Sequence, residues 1–534
     1  MSSVSQKPEK YILAVDHGTS GVKCALFSVY GRVIGHASES TPIHLLPNGG
    51  AEQNPDDWWN AFLKAAKTLI EKKLVPAKDI VAICVSGQWS VTVPVDANGK
   101  HLMNAISWMD SRGAPYIKKK MKGLINVSGY GISNILKFVA ITGGGPGLSG
   151  KDPTSHILFL KNEHPEIYAK TYKFLECKDF MNLKLTGKFV ATYDSVHLHW
   201  VTDSRDLANI RYSEKLLKFY GIEREKLPDL IKSTDIVGPL LPDVAEAIGL
   251  GGTRQDPVVV IGGSGDLQMA AIGSGAVKDF EAHIYIGTSA FLICHVPFKK
   301  TDIFHNIAAL PSANPSKYFV ATEQETAGAC LTFLRDNMVF YRSKDHGPQE
   351  YEQLDEIARS IPPGSNNLIF TPWLYGERTP IEDHTVRGGI FNLSLNHTLD
   401  HVVRAVFEGV AYNARWVLQY VEQFTGKKRL DPINIIGGGA NSEVWCQIYA
   451  DILDRTIRKV KDPIRANARG AAFVASVGLR YITFEDIPKY TEIEKEFTPN
   501  PANRAIYDKL FAEFVTIYGK INGIYRRLNQ FTHS

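Results

Sequence analysis

Asp16 lies in the stretch YILAVDHGTSGVKCALF, residues 11–27, between an apolar run and a Gly-Thr-Ser turn that leads into a second apolar run. A turn made of Gly18, Thr19 and Ser20 presents backbone N–H groups and hydroxyls to anionic oxygens, and glycine lets the backbone come close. Phosphate is the natural guest of such a turn, yet a bare carboxylate beside it repels phosphate. Magnesium resolves the conflict, because it binds one or two carboxylates together with waters and phosphate oxygens. Asp16 is therefore a candidate metal-associated residue, with a turn or capping role as the plainer alternative. Lys23 lies just beyond the turn and is a candidate nucleotide contact.

A second stretch, HIYIGTSAFLICHV at 283–296, repeats the plan: a strand-like run, Gly287-Thr288-Ser289, then another strand-like run. Two such turns near the starts of the two chain halves suggest a duplicated fold that grips one ligand from both sides. Asp266 follows the run VVVIG and the flexible Gly262-Gly263-Ser264-Gly265, and precedes a helix-like segment. A carboxylate there can accept the proton of a substrate hydroxyl as that hydroxyl attacks a phosphoryl group. A helix N-cap is the competing role. Gly437, Gly438 and Gly439, with Ala440, end another strand-like run and precede a helix starting near Asn441, an arrangement that can receive phosphate or let an adenine lie on bare backbone. There is no G-x-x-x-x-G-K-[ST] loop and no convincing G-x-G-x-x-G with its ribose-binding acid.

These residues need scaffolding, and the chain supplies it as short β-branched runs alternating with helix-period segments, the pattern of an α/β protein. In NPDDWWNAFLKAAKTLIEKK, Asn54 can cap, Pro55 suits the first helical position, and Asp56 and Asp57 favour the positive end of the helix dipole. At 534 residues the chain is long enough for two to four domains at about 150 residues each. The expected division is an N-terminal domain over 11–275, a C-terminal domain over 282–480 and a helical tail over 481–534. A net charge of +4 over this length, without a basic patch interleaved with aromatics, argues against nucleic acid. Six scattered cysteines, no signal-like leader and no long apolar span point to a soluble, cytoplasmic protein. HLHW at 197–200 reads as alternating histidines on a strand, without a third metal ligand. Glu377 and Arg378 of GERTP are expected to pair with each other or with nearby chain, outside the site.

Taken in order, AVDHGTSGVK, AEQNPDDWW, GQW, ISWMDSR, IGGSGD, IGTSA, PWLYGERTP, RAVFEGVAYN and IGGGANSEVW resemble the FGGY family of carbohydrate kinases, and within it most resemble the xylulokinases. The resemblance runs from about Tyr11 to about Leu479. It implies two ribonuclease H-like domains of the sugar kinase and actin superfamily facing a central cleft. It also implies transfer of the ATP γ-phosphoryl group, with Mg2+, to a sugar hydroxyl. On that resemblance Asp16 and Asp266 are metal-associated and Asp266 is the catalytic base. Thr19, Ser20, Lys23, Gly287, Thr288, Gly438, Gly439, Ala440 and Asn441 fall on the nucleotide side. Gln88, Trp89, Ser90, Trp108 and Asp110 fall on the sugar side, with Arg112 completing the W-x-D-x-R segment.

Several positions depart from the family pattern. Trp89-Ser90 stands where xylulokinases usually have Met-His, which offers an indole face and a small hydroxyl in place of a histidine. Asn392 replaces a glycine, and Arg465 and Arg469 enter a helix that usually opens with an acid. The expected substrate is D-xylulose or a related ketopentose. A polyol or aldonate kinase on the same fold, and a nucleotide switch without sugar chemistry, are the alternatives. The tail is expected to pack on the second domain or on a partner subunit, as in a homodimer.

Overall fold

The computed structural model describes residues 9–127, 129–251, 256–343 and 347–529. In the first half, strands β1 (Tyr11–Gly18), β2 (Gly21–Ser28), β3 (Val33–Ser40), β4 (Ile80–Gly87), β5 (Ile236–Pro239) and β6 (Val259–Gly265) form one sheet in the order β5-β6-β4-β1-β2-β3. In the second, β7 (Ala282–Ile286), β8 (Ala290–Val296), β9 (Thr301–Asp302), β10 (Ile307–Pro311), β11 (Tyr318–Ala321), β12 (Ile433–Ile436), β13 (Ile457–Val460) and β14 (Ile493–Phe497) run β9-β10-β11-β8-β7-β12-β13-β14.

The strand directions expose the repeat. In the first sheet β2 runs antiparallel to both β3 and β1, β4 and β6 follow parallel, and β5 closes antiparallel. In the second, β11, β8, β7, β12, β13 and β14 repeat that sequence of directions. Both Gly-Thr-Ser stretches join the first two strands of their half, as their flanking apolar runs imply.

β1 shows why a continuous apolar run was needed. Its residues alternate between two faces, and both are covered. Leu13 and Val15 pack with Trp58, Phe62, Ala65 and Leu69 of helix α1 (Pro55–Glu71), whose N-terminus is capped by Asn54 Oδ1 accepting the Asp56 N–H at 3.0 Å. Ile12 and Ala14 face the other way, against Ala468, Ala471, Ala472 and Phe473, which come from far along the chain.

Five further helices are used below: α2 (Asp266–Gly273), α3 (Leu399–Phe424), α4 (Glu443–Leu453), α5 (Ala466–Gly478) and α6 (Arg504–Asn529). α5 follows β13 of the second sheet yet packs on the first. α2 joins it there, with Met269 and Ile272 toward the first sheet and Ala270 toward Ile436 and Val460 of the second. The two helices thus lie between the sheets. They touch backbone to backbone, since a Cβ on Gly273 would sit 1.8 Å from the Ala466 carbonyl oxygen and one on Gly470 would sit 1.9 Å from that of Met269. Arg469 reaches the C-terminal end of α2, donating to the Gly273 carbonyl at 3.3 Å and to the Asp462 carbonyl at 3.0 Å, and its burial pushes the guanidinium down to about 10. A cation at that end also favours the helix dipole. Arg465 pairs with Asp462 at 2.9 Å. Asn392 has φ of 68°, a left-handed conformation that glycine or asparagine adopts most readily.

The tail packs on its own chain: Tyr507, Leu510, Phe511 and Phe514 of α6 are buried in the second-half core with Trp373, Tyr412 and Trp416. Lys118, Lys119 and Lys120 are exposed on a short helix. All six cysteines are buried and unpaired. Among the described residues no helix is long and apolar enough to cross a membrane.

The α2–α5 contact leaves no room for a methyl group on either backbone. Gly273→Ala and Gly470→Ala are each expected to destabilise the protein by about 3 kcal/mol, the upper end of typical overpacking penalties. The measurement is the shift of the denaturant midpoint, and a midpoint unchanged from wild type would show that the helices can part at no cost.

Candidate active site

The β1–β2 ladder continues to Gly18 opposite Gly21, so Thr19 and Ser20 alone form the turn. The register sets Asp16 opposite Lys23, whose Nζ lies 3.4 Å from Oδ2. Asn467 of α5 approaches the other oxygen at 3.5 Å, so the second half of the chain reaches this carboxylate too. The turn is braced from behind. The Thr19 hydroxyl accepts the Trp108 indole N–H at 3.0 Å and donates to Gln88 Oε1 at 3.2 Å, while Gln53 Nε2 donates to the Thr19 carbonyl at 2.8 Å. Gln88 Nε2 in turn donates to Gln53 Oε1 at 2.8 Å. Gln88 is buried with both ends of its amide committed, so it ties the Thr19-Ser20 turn to Gln53 from below.

Asp110 is fully buried. Its Oδ2 accepts the Ala51 N–H at 2.9 Å, its Oδ1 accepts the Arg112 N–H at 2.9 Å, and the Arg112 guanidinium bridges it to Glu52 at 2.6 Å. The W-x-D-x-R segment is therefore folded around an internal ion pair. Trp108 and Arg112 keep some exposure, whereas Asp110 shapes the segment from within.

At the end of β6 the chain turns directly into α2, and Asp266 is the first helical residue, its Oδ1 accepting the Leu267 N–H at 2.8 Å. It keeps partial exposure. Crowding by protein pushes its carboxyl up, the negative charge of Asp16 adds to this, the Leu267 N–H opposes it, and Glu323 adds again, with the result at about 7. Such a group is a better proton acceptor at neutral pH than an ordinary carboxylate.

Trp89 lies against the backbone just before Asp266, where a Cβ on Gly265 would come within 3.1 Å of the indole. The indole N–H donates to the Ser195 carbonyl at 2.6 Å, and Phe319 of the second half lies at 6.4 Å between ring centroids. At 8% exposure Trp89 is chiefly a spacer between the two halves. Ser90 takes a left-handed φ of 67°, and its hydroxyl donates to the Lys151 carbonyl at 2.8 Å.

In the second half Gly287, Thr288 and Ser289 form a three-residue turn, one longer than its counterpart. Its carbonyls are held by N–H groups of Ala327, Gly328 and Ala329 at 2.9 to 3.1 Å, which leaves Thr288 exposed at the tip. The glycines after β12 divide their work. Gly437 has φ of 88° and, with Gly439, packs so tightly on Ile286 that Cβ atoms would lie 2.5 Å from its carbonyl oxygen and 2.4 Å from its Cγ2. Gly438 faces open space and Asn441 is exposed, while Ala440 is fully buried with its N–H on the Gly437 carbonyl at 3.2 Å. Ser442 caps α4 through the Trp445 N–H at 3.1 Å.

Two carboxylates close enough for the charge of one to act on the other, one of them poorly neutralised by a half-exposed lysine at 3.4 Å, suit magnesium, which keeps waters and takes its remaining ligands from phosphate. No group of three metal-ligating side chains occurs among the described residues, and the HLHW histidines are not exceptions. Ser195–His199 is a 3-10 turn rather than the expected strand, and burial keeps His197 and His199 neutral by pushing them down to about 3 and about 4.

GERTP lies closer to the site than its sequence suggested. Buried Glu377 accepts N–H groups of Glu325 at 2.9 Å and Arg378 at 2.8 Å, and Asn413 Nδ2 at 2.9 Å. Arg378 pairs with Glu323 and, at 2.9 Å, with Glu325. Glu323 is the carboxylate whose charge reaches Asp266, and Lys151 on the opposite wall responds to Arg378, Glu325 and Glu323. Glu323 and Lys151 carry no motif of their own; the GERTP segment beside them was the available signal.

Comparison with known proteins supplies an independent view. The model of the FGGY family of carbohydrate kinases, N-terminal domain, matches residues 11–273, and that of the C-terminal domain matches residues 282–479. A xylulose kinase of Bacillus subtilis (strain 168) is 28% identical over 531 residues, covering 98% of this chain and 99% of its own. A gluconokinase of Bacillus licheniformis is 27% identical over 532 residues, covering 98% of each. The crystal structure of gluconate kinase from Lactobacillus acidophilus superposes with a TM-score of 0.85 at 25% identity, covering 98% of this chain and 100% of the other.

Removing the negative charge of Glu323 lowers the cost of ionising Asp266. In Glu323→Gln the acid limb of the kcat/KM profile is expected to move to lower pH, while Glu323→Asp leaves it near its original place. A limb displaced to higher pH in Glu323→Gln would contradict this electrostatic reading.

Proposed function

The chain belongs to the FGGY family of carbohydrate kinases and is an ATP-dependent sugar kinase, and from that premise we propose that it phosphorylates a neutral ketose, with D-xylulose or a related ketopentose the best choice and Asp266 the base. One observation carries the choice of a neutral acceptor: the charged neighbours that act most strongly on Asp266 are Asp16 and Glu323, both carboxylates. A sugar acid placed there meets like charge, and a ketose does not.

In this reading the acceptor hydroxyl hydrogen-bonds Asp266, which takes its proton as the oxygen bonds to the γ-phosphorus and the β–γ bridging oxygen leaves with ADP. Thr19, Ser20, Gly287 and Thr288 hold the phosphates from two sides, with Lys23 beside the first turn. Gly438 offers bare backbone to the nucleoside, with Gly439 beside it packed on Ile286, Asn441 at the rim and Ala440 supporting them from beneath. Magnesium, bound with the nucleotide near Asp16 and Asp266, supplies charge neutralisation. Trp108 and Arg112 border the sugar, while Gln88, Trp89, Ser90 and Asp110 fix the wall that they stand on. Closing the halves excludes water that would otherwise compete with the sugar.

The aldonate reading has its own support in Lys151, a partly buried cation on the wall opposite Glu323, and in the gluconokinase similarity. ADP release against D-xylulose, D-ribulose, D-gluconate and pentitols separates the two. A ketopentose is expected to give the highest kcat/KM, and a preference for D-gluconate would overturn the neutral-acceptor reading. Asp266→Ala is expected to lower kcat about 10²–10⁴-fold with ATP affinity retained, and near-normal turnover in that variant removes Asp266 from the mechanism.

A further inference from the structure

Behind the proposed base lies a closed set of hydrogen bonds that no sequence motif announces. Asp194, in the loop before the 3-10 turn Ser195–His199, is fully buried. Ser264, two residues before Asp266, has its hydroxyl against Asp194 Oδ2 and also 2.9 Å from Gln268 Oε1. Gln268, two residues after Asp266, donates from Nε2 to the Asp194 backbone carbonyl at 3.1 Å. The ring therefore grips the β6–α2 junction on both sides of Asp266. The next residue of the loop, Ser195, accepts the Trp89 indole N–H at 2.6 Å.

Counting protons identifies the state of this ring. The Ser264 hydroxyl has one proton and two oxygen neighbours. The Gln268 amide cannot be turned over, because its oxygen would then face the Asp194 carbonyl, so Oε1 points at Ser264 and needs that proton. The contact between Ser264 and Asp194 Oδ2 is then filled only when Asp194 carries a proton of its own. Asp194 Oδ1 has no hydrogen-bond partner among the described residues, a costly position for an ionised carboxylate and a cheaper one for a neutral acid. Burial pushes this group up to about 6, in the same direction, opposed in part by Ser264, Lys178, the Asp194 backbone N–H and the Thr192 hydroxyl.

We propose that Asp194 is the positioning residue of the base: a buried acid that holds Asp266 through Ser264 and Gln268, and Trp89 through the adjoining Ser195 carbonyl, at one fixed spacing. The proposal rests on Asp266 being the base. Asp194 is fully buried and offers no surface to a ligand. Its effect is to keep the acceptor-activating carboxylate and the wall of the sugar pocket on a single rigid unit, so a sugar seated against that wall meets Asp266 without a search. Misplacement of a reacting group by about 1 Å can cost a hundredfold in rate, so such a bracket has kinetic weight.

The test uses the full chain and the best sugar of the ADP-release panel. Asp194→Leu keeps the branched shape, with methyl groups larger than the oxygens they replace, and removes every hydrogen bond of the side chain, whereas Asp194→Asn can donate to Ser264 as the neutral acid does. Asp194→Leu is expected to lose about tenfold or more in kcat, with ATP affinity and far-UV circular dichroism close to wild type. Asp194→Asn should restore most of the rate, and Ser264→Ala should fall between the two. Wild-type kcat in Asp194→Leu overturns the proposal, as does an Asp194→Asn variant as slow as Asp194→Leu. If Asp194→Leu does not fold, Ser264→Ala decides, since it removes a single oxygen: an unchanged kcat there overturns the bracket. Sugar-dependent ADP release by wild type separates the two layers, because its absence, or full activity in Asp266→Ala, counts against the base itself and not against Asp194.

Discussion

Two glycines make this molecule one machine. Gly273 and Gly470 let α2 and α5 meet without side chains between them, and each helix is tied to a different part of the chain. α2 begins at Asp266 and therefore carries the proposed base. α5 arrives from β13 of the second sheet, lies on the first, and delivers Asn467 to Asp16. Any shift of one helix along the other moves a carboxylate of the site relative to the strand exits opposite. Arg469 reinforces the contact from the side by holding the last carbonyl of α2. The small side chains of RGAA are thus a matter of distance between backbones, and the arginine that looked like a departure from the family pattern lies where a helix end favours a cation.

Around this contact the site is assembled from layers that do different work. The groups able to meet a ligand are few: the tips of two turns, an exposed glycine after β12, a carboxylate at a helix start. Each is backed by residues whose polar atoms are already engaged. Gln88 and Gln53 support the first turn, the N–H groups of Ala327, Gly328 and Ala329 hold the second, and Glu377 anchors Arg378 and Glu325. Rigid support of this kind fixes dipoles before a ligand arrives, which is the main electrostatic means of lowering a barrier to phosphoryl transfer.

Much of this was legible in the order of the residues. The two Gly-Thr-Ser stretches carried enough context to reveal the repeat, because an apolar run on each side of a short polar turn encodes a buried hairpin. Asn54, Pro55 and the following acids marked α1, and the glycine-rich exit before Asp266 marked a strand-to-helix junction. What was not legible depends on three-dimensional neighbours. Trp89 reads as a stacking surface, and the fold presses it against Gly265. Asp110 reads as a wall residue, and the fold buries it under Arg112. HLHW reads as a strand, yet Trp200 at φ of 51° ends a tight turn there. Glu323 and Asp194 have no local pattern, since their partners lie 55 and 70 positions away.

The repeat also has a consequence in its inequality. Laying the two turns over one another places Gly18 on Gly287 and Thr19 on Thr288, so the position of Asp16 falls on Tyr285. These two equivalents sense each other, for Asp16 and Asp266 add to the burial that keeps the Tyr285 phenol protonated. Had the second half retained a carboxylate, the two lips would repel a polyphosphate equally and attract a cation equally. With tyrosine there, one lip is acidic and the other neutral and aromatic. A frame whose two sheets repeat one order of strand directions thereby acquires polarity, with an acidic residue at the end of one lip and an aromatic one at the end of the other.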